Sequence, residues 1–382
     1  MKTLPHLLSL LLLFALPLSS AAHYSVEEQA PKKPQAKSVV RIAVLLDTSN
    51  SMDGLIEQAK TQLWDLVNEL IDVRYADDKP GLEIALYEYG NDGLNAREGY
   101  IRQVTPLTDD LDQVSEDLFG LTTNGGSEFC GQVIQTSLNQ LNWDTNKESL
   151  QFIFIAGNEP FTQGPIHYAT ACGMAKDKNV VVNTIYCGNY NQGVTEGWKA
   201  GAVMTNGQYM SIDSDKATVF VPSPYDERID KLNNKLNDTY IGYGSLGHHK
   251  KEQQMMQDRN AAEYSQANAV SRAASKSSRF YKNSSWDLVD AVEEEVVAIE
   301  DLDEDDLPEE LKGKSEEEIA AYVEEKSAER KAISEEIQEL TKQREAYVAK
   351  KRAEMGDDSR LDAAMLKAIR EQAAVKEFYF VD

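Results

Sequence analysis

The sequence predicts an α/β fold, a doubly wound and mainly parallel sheet followed by an α-helical C-terminal extension. Nearly continuous apolar runs such as residues 39–46 are typical of strands that are buried on both faces. These runs alternate with segments whose apolar residues have helical spacing, which indicates strand–helix–strand units. After Tyr240 the composition shifts towards Gln, Ala and Glu, which predicts the extension.

The first 22 residues have the features of a cleaved export signal. Lys2 supplies a positive charge, Leu7–Leu18 is largely apolar, and Ser20–Ala22 provides the small residues that a signal peptidase requires. The apolar run is short for a membrane-spanning helix, although a permanent N-terminal anchor stays open as an alternative. We therefore expect a secreted or periplasmic protein with no membrane span after cleavage, in which residues 23–38 form a linker.

Residues 39–240 form the predicted α/β domain, with a short gap between the second and third strands that suggests an antiparallel hairpin. The expected elements, in chain order, are a strand at 39–46, a helix at 55–71, strands at 82–87 and 100–107, a helix at 131–141, a strand at 150–156, a helix at 168–178, a strand at 180–186, a helix at 198–204, a strand at 208–212 and a helix at 226–238.

Two further regions follow this domain. Residues 241–312 are predicted as a linker region, first rich in Gln and Ala and then strongly acidic. Residues 313–382 predict a helical hairpin, whose first helix begins with the capping-box spacing Ser315 to Glu318. Because charged residues interrupt the apolar seam of that helix, we expect it to pack on a partner or on itself rather than form a long coiled coil.

Charge and composition exclude several classes of function. The chain has 64 acidic and 39 basic residues, a net charge of −25, which argues against binding to nucleic acid because phosphate requires a cationic surface. The five histidines form neither an HExxH motif nor a Cys/His zinc spacing, and no serine or cysteine lies in a Gly-x-Ser-x-Gly elbow. We therefore expect a protein that is not an enzyme.

The three cysteines permit two interpretations. In an oxidising compartment, Cys172 and Cys187 are candidates for a disulfide that closes a short loop, with Cys130 left over. The alternative is three buried free thiols.

The residues that directly follow the first strand can bind a metal ion. Asp47, Ser49 and Ser51 form an Asp-x-Ser-x-Ser motif at the carboxyl end of that strand, where open α/β sheets bind ligands. One carboxylate and two hydroxyls suit a hard divalent cation such as Mg²⁺ and leave part of its coordination shell open.

With this motif, residues 42–52 resemble the start of a von Willebrand factor A domain with a metal-ion-dependent adhesion site. In that family a Thr on a second loop and an Asp after the fourth strand complete the site. Ser127, in the segment 124–128, matches the Thr. Gly157 stands where the family has the Asp, so the site is partly degenerate. The resemblance covers about residues 39–240.

The resemblance implies a metal set of Asp47, Ser49, Ser51 and Ser127 that holds Mg²⁺ or another divalent cation. Loss of the Asp predicts a weaker or more partner-dependent metal affinity, with Glu128 or Glu159 as substitutes.

The function that the resemblance implies is an exported binding protein that mediates divalent-metal-dependent protein–protein interaction or adhesion. Its partner would be a protein whose Asp or Glu carboxylate completes the metal shell. The alternative is a metal-free structural scaffold, in which the motif only caps the next helix. In that case the C-terminal helices would self-associate or assemble an envelope or extracellular complex.

Overall fold

The computed structural model describes residues 38–76, 78–144, 149–212, 221–355 and 361–381. The predicted export signal, the linker up to residue 37 and the predicted helix break at 356–358 lie outside the described residues. Within the described ranges, no helix combines the length and the apolar character that crossing a membrane requires.

A central six-stranded sheet and a separate two-stranded sheet contain the strands of the described residues. The strands are β1 (Val39–Asp47), β2 (Val73–Tyr75), β3 (Gly81–Tyr89), β4 (Ile101–Thr108), β5 (Ser149–Gly157), β6 (Val181–Cys187), β7 (Tyr209–Ile212) and β8 (Phe378–Phe380). In the large sheet the order is β4-β3-β1-β5-β6-β7. Only the β3–β4 pair of this sheet is antiparallel. The predicted fold class is therefore confirmed.

Helices cover both faces of the large sheet. The α-helices of the described residues are α1 (Asp53–Leu70), α2 (Leu111–Phe119), α3 (Cys130–Gln140), α4 (Tyr168–Asp177), α5 (Tyr190–Thr195), α6 (Trp198–Met204), α7 (Asp226–Asn237), α8 (Gly247–Tyr264), α9 (Gln266–Lys276), α10 (Leu288–Glu293), α11 (Glu316–Met355) and α12 (Leu361–Val375).

The strands bury alternate residues on opposite faces of the sheet, which explains their unbroken apolar runs. Ile42, Phe152 and Phe154 belong to a core shared with α1, α2, α7, α9, α11 and α12. Ala43 and Ile155 belong to a second core shared with α3, α4 and α6. Every residue of β5 is buried, which places this strand at the centre of the molecule.

The proposed disulfide between Cys172 and Cys187 is not present, because both cysteines and Cys130 are buried free thiols. Cys172 lies on α4 in the core on one face of the sheet. Cys187 ends β6 and faces the core on the other side. The sheet itself therefore separates the two thiols, a separation that their spacing in the sequence does not reveal.

The region predicted as a linker at 241–312 is instead folded onto the α/β domain. Helices α8 and α9 pack on α2 and α1, and their buried side chains are largely polar. Ion pairs and hydrogen bonds join charged and polar side chains of α8 and α9 to those of α2 and α7. We call these side chains the buried charge network, which consists of Asp112, Asn233, Asn237, Asp258, Arg272 and Lys276.

The acidic part of this region is also attached to the fold. Five of its acidic residues lie in two short 3₁₀ helices, 299–301 and 304–306, and these five are exposed. The chain that follows inserts Leu307 and Leu311 into a third small core with Ile319 and Val323 of α11. Apolar residues at the end of the acidic run therefore fix it to the first turns of α11.

The two C-terminal helices pack on the chain's own domain. The predicted capping box is present: the Glu318 carboxylate accepts from the Ser315 N–H at 2.8 Å, and the Glu318 N–H donates to the Ser315 hydroxyl. Helix α11 then lies along α7 and α9 with Ile337 fully buried, whereas α12 packs on α1 and β7. The pair is therefore not a self-contained hairpin.

The charges that interrupt the seam of α11 explain this attachment. Arg330 pairs with Asp287 at 2.7 Å and with Asp290 at 2.6 Å, and Arg344 pairs with Asp226 at 2.8 Å. These residues connect α11 to the domain instead of exposing charge on a free helix.

Candidate functional site

Three loops meet at the carboxyl ends of β3, β1 and β5. The Thr48 N–H donates to the Tyr89 carbonyl at 2.8 Å, so the loop after β1 is tied to the end of β3. The Asn124 N–H donates to the Thr48 carbonyl at 3.0 Å, which brings in the loop before α3. The site predicted by the Asp-x-Ser-x-Ser motif therefore lies at the carboxyl edge of the sheet, as expected.

The motif residues lie together at this edge. Asp47 is fully buried, and its carboxylate accepts from the Ser49 N–H at 2.8 Å. The hydroxyls of Ser49 and Ser51 are 3.2 Å apart, and Asn158, just after β5, donates to the Ser51 hydroxyl at 3.1 Å. Burial decreases from Asp47 to the exposed Ser51, so the motif forms a narrow polar opening to solvent.

The serines lie before the N-cap position of α1. The N-cap position of α1 is Met52, and this position makes no side-chain cap hydrogen bond among the described residues. A 3₁₀ turn, Asn50–Met52, lies between the Asp47–Ser49 hydrogen bond and α1.

Glu128, rather than Ser127, reaches the motif from the second loop. The Glu128 side chain is buried and lies within hydrogen-bonding reach of the Asp47 carboxyl and the Ser49 side chain. Its backbone N–H donates to the Gln163 side chain at 2.7 Å, which fixes this part of the loop. Ser127 is half-buried, and among the described residues no hydrogen bond joins its hydroxyl to Asp47, Ser49 or Ser51.

Burial raises the pKa of both carboxyl groups. Burial is the largest cause that raises the pKa of Asp47. Burial, followed by the hydrogen bond to Asp47, raises the pKa of Glu128 to about 10. The site therefore disfavours two unpaired carboxylates, and a cation between them would offset the cost of their ionisation.

Gly157, at the position where the family has an aspartate, has no room for a side chain. A Cβ atom there would lie 2.5 Å from the Tyr89 hydroxyl and 3.1 Å from Asp47 Oδ2. Tyr89 is fully buried, and its hydroxyl donates to the Ala156 carbonyl at 2.9 Å. The Tyr89 hydroxyl thus fills the space next to Asp47 on the β5 side.

The donor set fits a hard divalent cation. Asp47 Oδ2, Glu128 Oε2 and Asn158 Oδ1 are buried oxygens for which the described residues provide no hydrogen-bond partner. Such oxygens are the ligands that Mg²⁺ prefers, and a cation would offset the repulsion between the two carboxyl groups. The described residues contain no cluster of three or more His, Cys, Asp or Glu of the metal-binding kind, so the other protein ligands would be serine hydroxyls or the Asn158 amide oxygen.

His167 lies at the start of α4. Its ring accepts from the Ala169 N–H at 3.2 Å and stacks on Tyr168, with the ring centroids 4.5 Å apart. His167 is therefore the N-cap of α4.

Comparison with known proteins identifies the domain that carries this site. Residues 42–223 match the family model of the von Willebrand factor type A domain. This part of the chain is a von Willebrand factor type A (vWA) domain. Domains of this family act in protein–protein interaction and adhesion in general. No curated protein matches the chain significantly.

Several solved structures are similar to the vWA domain. BatB from Bacteroides thetaiotaomicron is 15% identical over 46% of this chain and 90% of its own, with a TM-score of 0.35. The SpRpn10 VWA domain is 18% identical over 46% of this chain and 88% of its own, with a TM-score of 0.33. An aerotolerance-related membrane protein from Bacteroides fragilis is 14% identical over 46% of this chain and 92% of its own, with a TM-score of 0.32.

The sequence identified three residues of this site and underestimated two. Asp47, Ser49 and Ser51 are contiguous in the chain, so their pattern is visible directly. Glu128 is one of two acidic substitutes that the sequence offers, and the motif gives no indication of Tyr89. The signal for Tyr89 is that the register pairs it with Asp47 across β1 and β3, which requires knowledge of the strand order.

Proposed function

We propose that the protein is an exported binding protein whose vWA domain holds a divalent cation and, through it, a carboxylate of a protein partner. One observation carries the proposal: the buried carboxyl groups of Asp47 and Glu128 lie side by side, each with an oxygen that lacks a partner among the described residues. Export rests on the first 22 residues of the sequence, and it implies a secreted or periplasmic location.

The residues that would hold the cation are Asp47, Ser49 and Ser51, together with Glu128 or Ser127 from the second loop. When bound, a Mg²⁺ ion would supply a positive Lewis-acid centre that accepts an additional oxygen ligand. Ser51 is exposed and sits at the opening of the site, so a ligand from another molecule would approach past its hydroxyl.

The overall charge of the protein supports a role for the cation in partner binding. With a net charge of −25, the protein would repel an acidic partner surface at low ionic strength. A bound divalent cation would create a local attraction for one carboxylate at the edge of the sheet. The proposal assigns binding rather than catalysis to this site.

The scaffold alternative has weaker support. It requires the C-terminal helices to offer an apolar surface for self-association, but Ile333, Ile337 and Leu340 of α11 are buried in the chain's own core. The same holds for Ile369 and Ala373 of α12. Assembly through these helices would first need their separation from the domain.

Isothermal titration calorimetry tests the proposal on the full chain. Mg²⁺ and Mn²⁺ are titrated into the wild type, into Asp47→Asn, and into Asp230→Asn as a control with an exposed acid on α7. We expect binding by the wild type and by Asp230→Asn, and at least about tenfold weaker binding by Asp47→Asn because a charged ligand is lost. Identical heats for the wild type and Asp47→Asn would refute the metal site.

Mass spectrometry of the protein from culture medium or periplasm tests cleavage after Ala22.

A further inference from the structure

The absence of a side chain at position 157 is compensated within the same site. A vWA domain with glycine at position 157 lacks one carboxylate, and this loss predicts a weaker metal affinity. In the structure, however, the Glu128 side chain lies beside Asp47, since both come within 2.8 Å of the place of a Cβ atom at Gly90, on the side of the motif away from Gly157. The site therefore still has two carboxyl groups, but the second one comes from the loop before α3 instead of from the end of β5.

Tyr89 makes this arrangement obligatory. Its hydroxyl is 2.5 Å from the place of a Cβ atom at position 157, and the buried ring is held by the hydrogen bond to the Ala156 carbonyl. The ring also lies within contact of the Cys130 thiol, with 3.6 Å between the hydroxyl and Sγ. A fully buried ring that is held at its tip cannot move aside for an aspartate.

Gly90 provides the space on the other side. A Cβ atom at position 90 would lie 2.7 Å from Asp47 Oδ1 and 2.8 Å from Glu128 Cγ. This residue has φ +81°, in the left-handed region that favours glycine. A glycine at this position lets the Glu128 side chain pass over the turn after β3 and reach Asp47.

We propose that Glu128 is a direct ligand of the cation and replaces the aspartate that Tyr89 excludes from position 157. This inference rests on the proposed function, since it concerns the same cation. With two carboxylates of its own chain, the site balances the charge of a divalent ion without help. The cation therefore binds tightly before any partner arrives, in contrast to the partner-dependent affinity that the sequence implied.

The test compares Mn²⁺ affinities of full-length variants by electron paramagnetic resonance, which measures free Mn²⁺ directly. Glu128→Gln removes the proposed ligand, and Glu159→Gln removes a nearby acid that affects Asp47 and Glu128 only through its charge. Ser127→Ala removes the ligand that the family pattern assigns. We expect the dissociation constant to rise at least tenfold for Glu128→Gln and less than threefold for the other two.

A compensating variant separates ligand loss from misfolding. In Glu128→Gln combined with Tyr89→Phe and Gly157→Asp, the hydroxyl is removed and the family aspartate is restored. We expect this triple variant to recover at least half of the lost affinity on a logarithmic scale. Thermal unfolding of each variant verifies that it is folded.

The outcomes distinguish the two proposals. If Glu128→Gln binds Mn²⁺ as the wild type does while Asp47→Asn does not, Glu128 is not a ligand, and the inference is overturned while the metal site stands. The same conclusion follows if Ser127→Ala causes the larger loss. If the wild type itself binds no Mn²⁺, the proposed function fails and the inference fails with it.

Discussion

Replacing Asp258 by asparagine tests what attaches α8 and α9 to the vWA domain. Asp258 accepts hydrogen bonds from Arg272 at 2.6 Å and from Lys276 at 2.8 Å, and both cations are at most 1% exposed. Arg272 also pairs with Asp112 of α2 at 2.8 Å. Asparagine has nearly the same shape as aspartate, so the change removes a charge without leaving a cavity.

The expected loss of unfolding free energy follows from the charges in the buried charge network. It contains two carboxylates and two cations, so the variant leaves two buried cations opposite one carboxylate. Burial alone would raise the pKa of Asp258, but Lys276 and Arg272 outweigh it and lower the pKa below its usual value. Breaking a buried ion pair in this way costs about 3–5 kcal/mol, because an uncompensated charge stays in the interior.

Urea unfolding at pH 7, followed by circular dichroism, measures the loss of unfolding free energy. The control Asp230→Asn makes the same chemical change at an exposed position of α7 and should leave the stability unchanged. The double variant Asp258→Asn with Lys276→Met restores the charge balance and should be more stable than Asp258→Asn alone. A single variant within about 1 kcal/mol of the wild type would refute the reasoning, as would a double variant less stable than the single one.

Three further predictions use other parts of the fold. Gly90→Ala should lower the unfolding free energy by more than about 1 kcal/mol, whereas Gly173→Ala, in open space on α4, should not lower it, as urea unfolding would show. Burial and the adjacent Asp287 raise the pKa of Asp290 to about 6. Because the folded state binds the Asp290 proton more tightly than the unfolded state does, the unfolding free energy should fall as the pH rises from about 4 to 6. Asp290→Asn should make that fall shallower in unfolding curves measured across this range. A thiol reagent should react slowly with the native protein and modify three cysteines after unfolding; fewer than three would indicate a disulfide.

The strands of the vWA domain could be predicted because the side chains that they bury are mostly apolar. Residues 152–156 form an unbroken apolar run, and all of them are buried in β5. Helices α8 and α9 could not be predicted as packed elements for the opposite reason. Their contacts with α2 include the hydrogen bond from Ser115 to Gln257 and the ion pair of Arg272 with Asp112, and an apolar pattern cannot reveal burial that depends on hydrogen bonds and ion pairs.

The candidate site also contains one part that the sequence predicts and one part that it does not. Asp47, Ser49 and Ser51 belong to one turn, so their spacing alone predicts that their oxygens meet. Whether position 157 can carry an aspartate depends instead on Tyr89, two strands away in the sheet. Its hydroxyl reaches past β1 to the Ala156 carbonyl of β5. A missing family residue is therefore weak evidence for a lost metal site, because a neighbouring strand can fill its place while another loop supplies the charge.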